Sequence, residues 1–126
     1  MGMNWTLYVV IGGVLLAFLL LRGGISLVGV EAAQEWLKRG AKVIDVRTEA
    51  EYQRGHLPGA VNVPLGRLRD EISRHASNKE QPLLLHCLSG GRSGIGKGML
   101  KRMGYRHVFN LGSYGRAARI LGSRNG

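Results

Sequence analysis

A single cysteine, Cys87, stands among the 126 residues. An intrachain disulfide is therefore excluded, and a lone free thiol is what a reducing compartment preserves. One cysteine and four separated histidines (His56, His75, His86 and His107) lack the spacing of a ligand set, so neither a metal nor another cofactor is expected. Charge is missing altogether from residues 1–21, so all 18 basic and all eight acidic residues lie from Arg22 onward. Aromatics are scarce, and the five beyond the N-terminal segment (Trp36, Tyr52, Tyr105, Phe109 and Tyr114) are not interleaved with Lys or Arg as a base-stacking platform requires. Nucleic-acid binding is thereby set aside despite a net charge of +10; a basic domain beside an anionic leaflet fits better.

What is present begins with an apolar run. Residues 5–21 are 17 uncharged, mostly apolar positions, about 25 Å long as a helix against a hydrocarbon core of about 30 Å. With Arg22 snorkelling, the run is predicted to be one transmembrane helix in contact with the lipid bilayer. A cleaved signal peptide would want a basic residue before the run and a small-residue cleavage site after it, and neither is there. Because every Lys and Arg follows the run, the N-terminus is expected outside and the domain in the cytoplasm, as at a bacterial inner membrane. Residues 1–24 are thus read as anchor and Gly23-Gly24 hinge, residues 25–122 as one domain, and residues 123–126 as a frayed tail.

Beyond the hinge, short apolar runs alternate with helical patterns. Helices are predicted over residues 31–39, 48–54 (with Thr48 and Glu51 as a capping box), 65–75, 93–103 and 114–121. Strands are predicted over 41–46, 60–63, 82–86 and 107–110, with 82–86 the most apolar and so central. Such alternation predicts an α/β fold, a mostly parallel sheet flanked by helices, with ligands bound at the carboxyl ends of the strands. Cys87 falls at such an end.

The residues after it are Leu88, Ser89, Gly90, Gly91, Arg92 and Ser93. Backbone N–H groups, a helix N-terminus and a guanidinium all favour a thiolate, the nucleophilic form of cysteine. Arg92 either meets an anionic donor or turns back to brace the loop. Ser93 either caps the following helix or bonds the terminal sulfur. His86, on an alternating strand, is expected to face away from Cys87 and not to act as its base.

Two stretches carry a resemblance. Residues 45–64 (DVRTEAEYQRGHLPGAVNVP) and residues 87–93 (CLSGGRS) resemble the two signatures of the rhodanese family, in order and at the right distance. The resemblance implies a three-layer α/β domain without cofactor, whose Cys87 accepts a sulfane sulfur, becomes a persulfide and hands the sulfur on. It also implies that residues 88–93 hold the anionic sulfur and that Asp45, Arg47 and His56 support the site structurally. Related phosphatases carry a C-x5-R loop, whereas Cys87 to Arg92 is C-x4-R, a smaller ring that suits one sulfur better than a phosphoryl group.

The donor implied is a small thiosulfate-like or persulfide compound and the acceptor a thiol or cyanide. Leu88 and Gly91 are neutral where many thiosulfate users place a second basic residue, which weakens the pull on a dianion. Tyr114 stands where the family often has a tryptophan. A second reading is a membrane-anchored carrier or docking module that relays sulfur only to a membrane or sulfur-relay protein partner.

Overall fold

A computed structural model describes residues 4–19 and 26–123. The Gly23-Gly24 hinge and residues 124–126 of the expected tail lie outside the described residues. Ser123, expected to fray, is instead the last residue of a helix, where it accepts a hydrogen bond from Gln34 Nε2 at 2.6 Å.

Four strands, β1 (Lys42–Asp45), β2 (Val61–Asn62), β3 (Leu83–His86) and β4 (Val108–Gly112), form one sheet in the order β2-β1-β3-β4. Every pair is parallel. Each residue of β3 is buried, as a central strand covered on both faces requires. Its side chains alternate between two cores. Leu83, Leu85 and Cys87 pack with Ile44, Leu68, Ile72 and Leu100, whereas Leu84 packs with Ala33, Leu37, Leu111 and Ile120. Helices α4 (Leu68–His75) and α5 (Gly91–Arg102) thus cover one face of the sheet, and α2 (Val30–Lys38) and α6 (Tyr114–Ser123) cover the other.

Local chemistry accounts for the helix ends that position the site. The short helix α3 (Glu49–Arg54) is held by the reciprocal bonds of a capping box, with the Glu51 amide donating to Thr48 Oγ1 at 3.2 Å and the Thr48 amide donating to Glu51 Oε1 at 3.2 Å. Residues 65–75, predicted as one helix, split into a 3-10 turn over Leu65–Arg67 and α4. Upstream of α2, the Val28 amide donates to the Asn110 carbonyl at 2.9 Å, which ties the start of the domain to the outer edge of β4.

Of the expected transmembrane helix, residues 5–19 are described. Helix α1 covers Trp5–Leu19, 15 residues with none buried, or about 22 Å of helix where a bilayer core needs about 30 Å. Among the described residues, no helix is long and apolar enough to cross a membrane. Leu20 and Leu21, which the predicted span also needs, lie outside the described residues.

Helix α5 is tightly packed at Gly96, where an added Cβ would lie 3.0 Å from Leu85 of β3 and 3.1 Å from Leu68 of α4. Gly98 faces a Cβ contact only with the Arg102 side chain at 3.7 Å. Gly96→Val is expected to lower unfolding free energy by about 1–3 kcal/mol through overpacking. Gly98→Ala should raise it by up to about 1 kcal/mol through helix propensity. Equilibrium denaturation of the two variants checks both signs.

Candidate active site

The site is built where β3 ends. Cys87 leaves the strand, and its amide donates to the Gly112 carbonyl of β4 at 3.3 Å. The chain then turns back at Gly90, whose φ of +102° is the left-handed region that favours glycine. An added Cβ at Gly90 would lie 3.3 Å from the Gly112 Cα, so the turn presses directly on backbone. The Tyr114 amide bonds the Leu88 carbonyl at 3.1 Å, and Ser89 forms a β-bridge with Ser113. The loop is thereby fastened to the segment after β4.

This geometry aims donors at the sulfur. The Gly90 amide donates to Cys87 Sγ at 2.9 Å, and the Ser93 hydroxyl lies 3.4 Å from the same atom. Helix α5 begins at Gly91, so its positive end stands beside the thiol. Burial pushes the Cys87 thiol up, but the Ser93 hydroxyl and the amides of Ser93, Gly90 and Ser89 outweigh it and leave the thiol below its ordinary value. The side chain itself has no exposed surface.

Ser93 does not cap α5. Gly90 occupies the cap position, and Ser93 lies inside the first turn with its hydroxyl 2.7 Å from Asn110 Oδ1 and 3.1 Å from the Gly90 carbonyl. A hydroxyl has one proton, so Asn110 holds it while the sulfur is a neutral thiol. An ionised sulfur is the stronger acceptor and competes for that proton through a charge-assisted bond.

Asn110 escapes the sequence reading. Its Oδ1 also accepts from the Gly112 amide at 2.8 Å and its Nδ2 donates to the Gly90 carbonyl at 3.1 Å, so one buried amide orients the serine, the glycine turn and the strand end together. The available signal is a polar residue between Phe109 and Leu111, on a strand with no solvent for it to face.

Arg92 binds Glu51 while its charge still acts on Cys87. Its guanidinium grips Glu51 of α3 with Nη1 to Oε1 at 2.6 Å and Nη2 to Oε2 at 3.0 Å. The Arg92 hydrogen bonds, with help from the Thr48 amide and hydroxyl, lower the Glu51 carboxyl to about 2. Leu88 is left 58% exposed at the mouth of the loop, while Gly91 opens the helix.

The remaining candidates make their bonds outside the loop. Asp45 and Arg47 form a buried bidentate pair, closest at 2.8 Å, and Arg47 also donates to the Gly55 carbonyl at the end of α3. The Tyr114 ring lies 4.8 Å from the Arg47 guanidinium carbon, which places that aromatic beside the loop. His56 stacks on the Tyr52 ring at 3.8 Å and bonds the Tyr52 carbonyl, so its partners belong to α3 and not to residues 87–93. His86 faces the opposite core; burial lowers it below its ordinary value, and its Nε2 lies 3.8 Å from Asp45. A separate cavity of about 280 Å³, lined by Leu37, Lys42, Val43, Pro58, Val61 and Leu121 among others, lies at the opposite end of the strands.

A lone cysteine in a loop of amides at the carboxyl edge of a parallel sheet matches a known domain. The rhodanese-like domain family matches residues 30–115. The chain belongs to the rhodanese-like family. Among relatives of this rhodanese-like protein, thiosulfate sulfurtransferase PspE of Escherichia coli (strain K12) is 37% identical over 83 residues, which are 66% of this chain and 73% of that protein. Among solved structures, a "rhodanese with anions from E. coli" aligns with a TM-score of 0.59 at 35% identity, over 61% of this chain and 91% of that one. The human single-domain sulfurtransferase TSTD1 shares the fold, with a TM-score of 0.62 at 24% identity over 76% of this chain and 97% of that one.

The donors around Sγ fix three expectations. Alkylation of Cys87 should rise with pH as the thiolate forms and level off at a midpoint below the ordinary cysteine value of 9.0. Ser93→Ala removes a stabiliser of the anion, so its midpoint moves upward and its rate at neutral pH falls. Gly90→Ala adds left-handed strain of about 1–2 kcal/mol to the backbone collision and slows alkylation further. Iodoacetamide rates across pH, read by intact mass, test the series; an unchanged midpoint in Ser93→Ala would count against the assigned role of the hydroxyl.

Proposed function

We propose that this protein is a sulfurtransferase that carries sulfane sulfur as a persulfide on Cys87. The observation that carries the reading is the Gly90 amide 2.9 Å from Cys87 Sγ, within a loop of neutral donors sized for one sulfur. The thiolate attacks the outer sulfur of a thiosulfate-like or persulfide donor; the Sγ–S bond forms, the donor's S–S bond breaks, and the electron pair leaves on sulfite or on a thiolate. The loop amides then hold the charge of the outer sulfur. In the second half, an acceptor thiolate or cyanide attacks that outer sulfur, and the pair returns to Cys87. Because Cys87 has no exposed surface, each attack requires a passage to open to the sulfur.

We also propose that the apolar N-terminal segment holds the domain at a membrane, with the domain in the cytoplasm. Support comes from the absence of charge in residues 1–21 and from the lack of any buried residue in α1.

Treatment of the full chain with thiosulfate or glutathione persulfide should add about 32 Da, one sulfur atom, to Cys87. Transfer to cyanide or a thiol should follow, and Cys87→Ser should show neither. A persulfide that forms without turnover would favour the carrier reading; no adduct with either donor would overturn both. Recovery of the intact chain in the soluble fraction after cell lysis would overturn the anchor.

A further inference from the structure

Arg92 is the only Lys or Arg within residues 87–93. It is already engaged: both terminal nitrogens of its guanidinium bond the two oxygens of Glu51, the geometry in which a carboxylate satisfies arginine most fully. Glu51 cannot swing aside freely, because the Thr48 amide and hydroxyl hold its Oε1 at 3.2 and 3.1 Å, and it sits in the first turn of α3 where the helix dipole favours a negative charge. The neighbouring guanidinium, Arg47, is held by Asp45 and the Gly55 carbonyl. Thus both arginines flanking the loop carry a carboxylate partner, and the sulfur itself is held by a neutral amide and a hydroxyl.

Donor classes differ in what they need here. Thiosulfate places much of its dianionic charge on a sulfonate group, which wants a cation. An alkyl persulfide presents a carbon chain behind its reacting sulfur, and the only charge formed in the loop is on sulfur, where the amides lie. We propose that Glu51 selects the donor: by occupying Arg92 it withholds the loop's cation from sulfonate donors and leaves a site matched to alkyl persulfides. Cys87 thiolate attacks the terminal sulfur of R–S–SH; the Sγ–S bond forms, the donor's S–S bond breaks with its electron pair leaving on R–S⁻, and the proton stays with the transferred sulfur. Glu51 acts through Arg92 and is a positioning residue.

The inference rests on the sulfur-transfer reading and is tested on the full chain. Glu51→Gln keeps a residue that serves the capping box while removing the charge that holds Arg92. The ratio of kcat/KM for thiosulfate to that for glutathione persulfide should rise by roughly fivefold to tenfold, the scale of one half-buried charge contact, and the change should sit in the thiosulfate KM. Thr48→Ala, which removes one bond to Glu51 but leaves its carboxylate on Arg92, should raise the ratio less than twofold. An unchanged ratio in Glu51→Gln, or an equal rise in Thr48→Ala, overturns the role of Glu51 alone. Absence of any Cys87 adduct with both donors overturns the sulfur-transfer reading together with it.

Discussion

The Gly90 amide reaches the Cys87 sulfur at 2.9 Å only because Gly90 takes a φ of +102° and lies flat against Gly112. A side chain at Gly90 closes that space, whereas at Gly112, itself at φ +93°, an added Cβ would meet Leu27 at 3.1 Å. The turn therefore depends on where β4 ends, and β4 ends there because Asn110 folds its side chain onto the Gly112 amide. The nucleophile is held less by its own strand than by the neighbouring one. Central placement of β3 in the sheet is what makes this support available, since β4 runs beside it in the same direction.

Electrostatics repeats the arrangement one layer out. Two guanidinium–carboxylate pairs, Asp45 with Arg47 and Glu51 with Arg92, flank the loop, and α3 belongs to both: its end accepts from Arg47 through Gly55, and its first turn carries Glu51. A buried pair such as Asp45–Arg47 adds little net stability over apolar packing, but removing one partner strands a charge at a cost of about 3–5 kcal/mol. Its value is therefore geometric. It fixes a six-residue helix, too short to be stable alone, against the end of β1.

Much of this is legible in the sequence wherever the signal is local. The Thr48–Glu51 capping box needs only four residues to specify itself, and both of its bonds are formed. The Leu83–His86 run declares a strand buried on both faces by composition alone, and alternation places Cys87 and His86 on opposite sides. Long-range choices were not legible. Nothing in residues 87–93 says that Arg92 will find Glu51, 41 positions earlier, because that pairing exists only once α3 and α5 are brought side by side. Asn110 was hidden for the same reason: its three partners lie 20, 17 and 2 residues away, and only the last is local. Helix α5 begins at Gly91, ahead of the predicted Ser93, because a left-handed glycine ends the loop where a side-chain cap was sought.

Burial and neutrality together define what the loop can tolerate. An unsupported thiolate without solvent would be costly, and burial alone drives Cys87 toward the neutral thiol. Fixed dipoles reverse that balance without any net charge. A cation placed against the sulfur would stabilise the anion more strongly, yet it would also hold the leaving sulfite or thiolate and lower the nucleophilicity of the sulfur, since nucleophilicity falls with the thiol's own basicity. In the proposed transfer, neutral donors avoid both effects: they would stabilise charge on whichever sulfur sits in the loop, the Cys87 thiolate before transfer and the outer sulfur after it. The same donors would thus serve both halves of the proposed cycle, provided the Arg92 guanidinium is kept occupied, and the Glu51 carboxylate occupies it.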